Sequence, residues 1–127
     1  MRRSIKLLFL ALTLSACTFG DVVEVESQEI DMGKLCPEDS LAQAVIRLTN
    51  HGRKDLFITN VKTDCACVVV AFSRSHIAPG KTTELPVTID ISRYAPQLLE
   101  HTIGIYTNLV DTPIVVNTKV EIGYSKN

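Results

Sequence analysis

The chain has 127 residues, of which 46% are hydrophobic and 21% are charged. This composition is typical of one globular domain with or without a targeting segment, and it excludes an intrinsically disordered chain. Thirteen basic residues stand against fourteen acidic ones, and Trp is absent. Because there is neither a basic excess nor an aromatic stacking surface, the sequence gives no support to nucleic-acid binding.

The first 16 residues have the order of a secretory signal. Residues 1–6 carry three bases and no acid, residues 7–14 are almost wholly apolar, and Ser15 and Ala16 are small. Signal peptides have this order, and the apolar run is about half as long as the ~20 residues of a membrane-spanning helix. We therefore expect residues 1–16 to be removed, which leaves 111 residues with ten bases and fourteen acids.

The segment Leu14-Ser15-Ala16-Cys17 directly follows the apolar run and resembles the lipobox of bacterial lipoproteins. The resemblance implies cleavage before Cys17, a diacylglycerol on its sulfur and an acyl chain on its new amine. Several acyl chains anchor a protein stably, because each buried methylene contributes about 0.8 kcal/mol. The alternative is an ordinary signal peptide in which Cys17 occurs by chance. Thr18 is not an acid, which by resemblance to the sorting rule of double-membrane bacteria favours the outer membrane.

The rest of the chain consists of short strand patterns separated by turns. In residues 84–91 apolar residues alternate with polar ones, and similar segments recur between residues 22 and 122. The only helical pattern is a brief turn at residues 92–97. Six or seven short strands with regular turns and no helical period are typical of an antiparallel two-sheet sandwich. The sequence therefore predicts an all-β fold.

Three residues give local expectations. Gly52 and Gly80 stand in turn signals, where glycine is free to take a positive φ. Pro86 has no backbone N–H, so the strand that contains it is expected at a sheet edge or at a bulge.

Five short motifs, in order and at characteristic spacing, resemble domain of unknown function 1573, a bacterial exported or lipoprotein domain. They lie at residues 30–35, 48–58, 64–67, 77–81 and 106–108. The resemblance implies an immunoglobulin-like antiparallel β-sandwich of about seven strands over residues 29–123. Residues 17–28 then form the lipidated Cys17, a short tether and the first strand, and residues 124–127 form a tail. Ala66 stands where the family has Gly, Lys81 where it commonly has an acid, and Cys36 lies outside the family pattern.

Three thiols remain once Cys17 is lipidated: Cys36, Cys65 and Cys67. Three thiols cannot all pair, so one is left over in an oxidising compartment. In a regular strand, residues i and i+2 have Cα atoms about 7 Å apart, which is just beyond disulfide geometry. A Cys65–Cys67 bridge therefore requires a turn or a bulge.

These cysteines have three interpretations. They are structural thiols, with Cys36 paired to one of the others or all three buried. They form a redox-active pair at Cys65 and Cys67. They bind a soft ion such as Cu(I), or Zn²⁺ if further ligands join them.

Other reactive residues give weaker signals. No histidine lies at ligand spacing from the cysteine pair, so His51, His76 and His101 are interpreted as surface or loop residues. Tyr94 and Tyr106 either mark a binding face or are ordinary half-buried rings. No nucleophile can be matched with a base, which leaves a hydrolase without support.

We therefore expect a lipid-anchored protein of the bacterial cell envelope, on the periplasmic or surface face. Its expected role is a non-catalytic binding or structural module, with the membrane and an envelope protein as partners and no cofactor or small-molecule substrate. The alternative is a thiol-redox or copper-binding protein that uses Cys65 and Cys67, and for copper the metal would be the cofactor.

Overall fold

The computed structural model describes residues 22–125, so the predicted signal peptide and Cys17 lie outside the described residues. Within this part of the chain no helix is long and apolar enough to cross a membrane. The chain forms eight strands, which we number in chain order. They are β1 (Val23–Val25), β2 (Glu29–Leu35), β3 (Leu41–Asn50), β4 (Ile58–Thr63), β5 (Val68–Val70), β6 (Thr82–Asp90), β7 (Gln97–Thr107) and β8 (Ile114–Ile122).

The strands form two sheets of four. Sheet A has the order β1-β3-β6-β5, and sheet B has the order β2-β8-β7-β4. The prediction of an all-β, two-sheet sandwich is confirmed, with eight strands rather than seven. The additional strand is β2, whose pairing with β8 shifts register between Asp31 and Lys34. Gly33 lies at this irregularity with φ +84°, so the apolar alternation that would reveal the strand is interrupted.

One strand pair departs from the expected antiparallel arrangement. β2 runs parallel to β8, whereas the other pairs are antiparallel. The reason is that β1 and β2 follow each other without a reversal of the chain. Residues 26–28 carry this extended segment from sheet A to sheet B, where it runs in the same direction as β8.

The hydrophobic core lies between the two sheets. On β6, Leu85, Val87 and Ile89 are each at most 1% exposed, as their alternation with polar residues predicts. Ile103 and Ile105 of β7 face them from sheet B and are fully buried. Burial of a side chain of this size contributes roughly 1.5–3 kcal/mol, so these alternating faces drive the sheets together.

The two turn glycines have different roles. Gly80 has φ +84°, which confirms its prediction. The expectation of a positive φ at Gly52 is wrong, and the residue is instead required by a close approach. A Cβ at Gly52 would lie 2.7 Å from Cγ1 of Val22, which is closer than two carbons can pack.

The expectation that Pro86 marks an edge or a bulge is wrong, because β6 lies between β3 and β5 in a regular register. The carbonyl of Pro86 accepts a hydrogen bond from the N–H of Ala71 at 2.9 Å, so its backbone faces the β5 side. Since β5 ends at Val70, proline is tolerated beside the end of its neighbour.

The brief helical turn also lies elsewhere than predicted. It is the 3₁₀ turn Pro37–Asp39, in which the Asp39 carboxylate accepts the N–H of Cys36 at 2.8 Å. At residues 92–97 the chain makes an irregular turn instead. There the carboxylate of Asp90 accepts the N–H of Ser92 at 3.0 Å, and the N–H of Tyr94 donates to Ile91 O at 3.3 Å, which closes a single turn that does not continue as a helix.

The sandwich has two distinct ends. At the entry end, where the described chain begins, the N–H of His51 donates to Val22 O and the N–H of Asn50 donates to Lys81 O. At the opposite end, the cysteine end, the N–H of Asp90 donates to Cys67 O. The strand β6 spans the two ends, and its nine residues place them roughly 25 Å apart.

A buried asparagine holds the entry end together. Asn50 is fully buried, and its amide donates to the carbonyls of Lys54 and Ile77, both at 2.8 Å. Its Oδ1 accepts the N–H of Gly52 at 2.8 Å. The side chain therefore ties the loop that follows β3, through Gly52 and Lys54, to the distant segment at Ile77.

We predict that Asn50→Asp lowers the free energy of unfolding by about 2–4 kcal/mol, because a carboxylate cannot donate to the two carbonyls. Urea unfolding measures the change. Asn60→Asp is the matched control, since Asn60 is exposed and its side chain accepts a hydrogen bond that a carboxylate also accepts. Equal effects of the two substitutions would contradict this role for Asn50.

Candidate functional site

A tight turn after β4 brings Cys65 and Cys67 together. The N–H of Val68 donates to Cys65 O at 3.1 Å, which closes a four-residue turn around Ala66 and Cys67. The hydroxyl of Thr63 donates to the same carbonyl at 2.9 Å. The two Cα atoms are 5.2 Å apart and the cysteines form a disulfide, so the turn that such a bridge requires is present.

The departure from the family pattern at Ala66 is compatible with this turn. Among the described residues, Ser40 is the one non-glycine residue with a positive φ, so Ala66 adopts no left-handed conformation. Its side chain is exposed. Alanine therefore replaces the usual glycine without backbone strain.

His101 lies beside the disulfide. Its Nε2 is 3.6 Å from Cys67 Sγ, and its Nδ1 is 3.0 Å from Asp64 Oδ1. Because a carboxylate only accepts hydrogen bonds, Nδ1 carries the hydrogen and Nε2 faces the sulfur. Only 13% of the His101 side chain is exposed. The interpretation of His101 as a surface or loop residue is therefore wrong.

The sequence does contain a signal for His101. It occupies an inward position of β7, two residues after the buried Leu99 and two before the buried Ile103. A polar residue at such a position needs a partner in the interior. The clear apolar alternation of this strand starts only at Ile103, so it does not reach this position.

Asp64 orients His101 from the end of β4. Its second oxygen, Oδ2, accepts the backbone N–H of Thr102 at 3.2 Å. Both carboxylate oxygens thus accept hydrogen bonds from residues of β7. These bonds lie next to the point where Thr63 pairs with Ile103. This arrangement fixes both the tautomer and the orientation of the imidazole.

Tyr94 approaches the sulfurs from the loop after β6. Its hydroxyl donates to Cys67 Sγ at 3.4 Å and lies 3.9 Å from Cys65 Sγ. The start of this loop is fixed by Asp90, which accepts both the hydroxyl and the N–H of Ser92. These two hydrogen bonds hold the pKa of Asp90 below its usual value, the hydroxyl having the larger effect. The loop is therefore anchored where it starts.

These five residues form what we call the thiol site: Asp64, Cys65, Cys67, Tyr94 and His101. A backbone donor completes it, because the N–H of Cys67 donates to Cys65 Sγ at 3.2 Å. Each sulfur thus has a hydrogen-bond donor, and Cys67 also faces the imidazole. Such donors stabilise a thiolate, which is the reactive form of cysteine.

Cys36 lies apart from the thiol site. It follows β2 at the cysteine end and is the free cysteine among residues 22–125. β2 and β4 are the opposite edges of sheet B, and three strand spacings separate them by roughly 14 Å. The strand order thus places Cys36 after the edge strand opposite to the one that leads into the pair, and Cys65 and Cys67 are bonded to each other.

The remaining residues that the sequence singled out also lie elsewhere. His51 pairs with Glu24 at 2.6 Å, and His76 contacts Asp55 at 3.5 Å, both near the entry end. Tyr106 lies under the ammonium group of Lys62, with 5.3 Å between the nitrogen and the ring centroid.

Comparison with known proteins decides the family. The sequence matches the model of the family described as "Protein of unknown function (DUF1573)" over residues 23–122. The chain belongs to this family. The resemblance of the five sequence motifs to DUF1573 is thereby confirmed. No curated protein matches this DUF1573 chain.

Solved structures of similar fold support the sandwich assignment. A protein of unknown function from Porphyromonas gingivalis W83 is 26% identical with a TM-score of 0.68, over 79% of this chain and 46% of that one. The DUF1573 chain thus spans about half the length of that protein. PapD-like domain 7 of human CEP192 is 9% identical with a TM-score of 0.63, over 83% and 87% of the two chains. The Pseudomonas aeruginosa CupB2 chaperone is 7% identical with a TM-score of 0.57, over 76% and 54%.

We predict that alkylation of the purified protein without reductant modifies Cys36 and leaves Cys65 and Cys67 joined. The physical reason is that Cys65 and Cys67 are bonded to each other across their own turn, while Cys36 is free and follows the opposite edge strand of sheet B. Peptide mapping by mass spectrometry measures the pairing. A peptide in which Cys36 is linked to either of the other two cysteines would contradict the placement of these strands.

Proposed function

We propose that this protein is a lipid-anchored envelope protein whose Cys65–Cys67 pair cycles between a disulfide and a dithiol. The observation that carries the proposal is His101, oriented by Asp64, with Nε2 3.6 Å from Cys67 Sγ. A base oriented by a third group is the arrangement that activates a nucleophilic thiol. The thiol site therefore supports redox chemistry better than it supports a passive role.

The first step of the proposed reaction is attack on the disulfide. A thiolate of a partner dithiol attacks Cys65 Sγ and forms a mixed disulfide with it. The Cys65–Cys67 bond breaks, and its electron pair remains on Cys67 Sγ. Nε2 of His101 takes the proton that the attacking thiol of the partner gives up, and then, together with the hydroxyl of Tyr94, donates a hydrogen bond to this thiolate.

The second step releases the oxidised partner. The second thiolate of the partner attacks the partner sulfur that is bonded to Cys65, and Cys65 leaves as a thiolate. The partner loses two electrons and two protons, and Cys65 and Cys67 gain them as two thiols. In the reverse direction, Nε2 of His101 takes the proton of Cys67, which then attacks a disulfide of the partner.

A purely structural bridge explains the geometry less well. In the chain-entropy account, the stabilisation by a disulfide grows with the number of residues that it encloses. Cys65 and Cys67 are two positions apart, the turn between them is already hydrogen-bonded, and so the bridge adds little constraint.

A non-catalytic binding module is the second candidate function. The sandwich is shared with the Pseudomonas aeruginosa CupB2 chaperone, and this analogy supports protein binding. The outer face of sheet A also exposes Val45 and Val69, which are 43% and 60% exposed. An envelope partner that docks on this face would be compatible with redox chemistry at the cysteine end.

The proposal also includes the orientation of the protein at the membrane. If Cys17 carries the lipid, it lies five residues before Val22, so the entry end faces the membrane. The thiol site then points away from the lipid surface by roughly 25 Å, the length of β6. This places it within reach of soluble or membrane-bound partners. Thr18 supports the outer membrane.

We predict that His101→Gln slows reduction of the Cys65–Cys67 disulfide by dithiothreitol about tenfold at pH 7. The leaving thiolate of Cys67 loses a hydrogen bond to a charged donor, which contributes roughly 1.5 kcal/mol. Tyr94→Phe slows it less, because a neutral hydroxyl is lost. Alkylation at timed intervals followed by intact-mass analysis measures the rate.

Two matched substitutions serve as controls for these rates. His76→Gln and Tyr124→Phe change the same residue types at exposed positions that lie outside the thiol site. We expect both variants to react at the rate of the unaltered protein. If His101→Gln also reacts at that rate, the redox proposal loses its supporting observation.

We predict that Cys17→Ser abolishes incorporation of labelled fatty acid into the protein in its bacterial host. The sulfur that accepts the diacylglycerol is lost, so processing before residue 17 is also lost. Cys36→Ser is the matched control and should keep both the label and the processing. Labelling of the Cys17→Ser variant would refute the proposed anchor.

A further inference from the structure

We infer that the reduced thiol site binds one Cu(I) ion through Cys65 Sγ, Cys67 Sγ and His101 Nε2. This inference rests on the proposed redox function, because the two sulfurs become ligands only when their disulfide is opened. It goes beyond that function by assigning a metal site to three named atoms.

The spacing of two of the three ligand atoms already fits a shared ion. The three ligand atoms lie within 4.8 Å of one another. Cys67 Sγ and His101 Nε2 are 3.6 Å apart, which is the separation of a sulfur and a nitrogen that share one ion at bond lengths of about 2.0–2.3 Å. The turn at residues 65–68 keeps both sulfurs on the side that faces β7, so opening the disulfide moves them a short distance.

The donor set selects the kind of metal. Two thiolates and one imidazole suit the soft ion Cu(I), which accepts few ligands. Zn²⁺ in structural sites takes four protein ligands, and with two cysteines and one histidine it needs a water as the fourth ligand. Within residues 22–125, no other histidine, cysteine or carboxylate joins this cluster. Asp64, the nearest carboxylate, already uses both oxygens to hold His101 and Thr102.

Asp64 has a supporting role in such a site. It accepts the Nδ1–H of His101, which leaves the lone pair of Nε2 directed at the sulfurs. A carboxylate behind a ligating imidazole commonly fixes the ring and strengthens the ligand. The His101 side chain is 13% exposed, so its nitrogen is shielded from competing water.

Metal binding and the disulfide exclude each other. When Cu(I) binds, Cys65 and Cys67 each release a proton and ligate as thiolates. When a partner disulfide accepts two electrons from the pair, the sulfurs bond to each other and the ion is released unchanged as Cu(I). The redox state of the pair thus controls occupancy of the site.

The test uses the full chain in mild detergent with Cys17→Ser and Cys36→Ser, so that Cys65 and Cys67 are its remaining thiols. The protein is reduced with dithiothreitol, freed of reductant under nitrogen and assayed for thiols before any metal is added. Cu(I) is then titrated in competition with the chelator bicinchoninate. We expect two thiols per chain, one bound Cu(I), and two sulfurs and one nitrogen around copper by X-ray absorption.

Single substitutions test how much individual ligands contribute to the affinity for Cu(I). In the same background, Cys65→Ser should abolish binding, and His101→Gln should weaken it at least tenfold. His76→Gln is the matched control and should leave the affinity unchanged. A tenfold excess of Zn²⁺ should not displace the copper, and reoxidation of the pair by a disulfide reagent should release it.

Each failure has a distinct meaning. If reduction yields no thiols, the redox function fails and the copper site fails with it. If two thiols form but Cu(I) binds no better than to Cys65→Ser, the copper site alone is overturned. Unchanged binding in His101→Gln overturns the three-ligand site, and displacement by Zn²⁺ overturns the assignment to Cu(I).

Discussion

The antiparallel pairing of β4 with β7 is the constraint on which the thiol site depends. In this register Thr63 lies opposite Ile103, so the chain that continues from β4 delivers Asp64 and Cys65 to the side chain of His101. The Asp64 carboxylate also accepts the N–H of Thr102, which ties the site to the ladder itself. A slip of one residue would turn His101 to the opposite face of sheet B and dismantle the site.

The rest of the sandwich stabilises this register and positions the site at one end of the fold. The buried alternating residues of β6 and β7 press the two sheets together, because a shift would expose them. β6 also ends at the cysteine end, where Asp90 anchors the loop that carries Tyr94. The two ends of the sandwich thus separate the point where the described chain begins from the point where the Cys65–Cys67 disulfide lies. Lipidation at Cys17 stays a prediction, since that residue lies outside the described chain.

Sequence reasoning succeeded where the controlling interactions are local. The alternation in residues 84–91 predicted a buried strand face, and the family motifs predicted the sandwich. It failed where an adjacent segment of the folded chain determines the outcome. The strand β2 is not predicted because Gly33 interrupts its pattern, and Pro86 is expected at an edge or a bulge because the sequence does not show that β5 ends beside it. His101 was assigned to the surface because the cysteine pair lies more than 30 residues earlier in the chain.

By itself, the sequence determined the strand-forming segments other than β2, the family, and the requirement that a Cys65–Cys67 bridge occupy a turn. These depend on side-chain alternation, on motif order and on the reach of two peptide units, all of which are local properties. Only the tertiary structure decided that His101, Asp64 and Tyr94 join the pair and that Cys36 does not. The physical reason is that register and sheet order bring distant segments together, and both are set by packing of the whole sandwich.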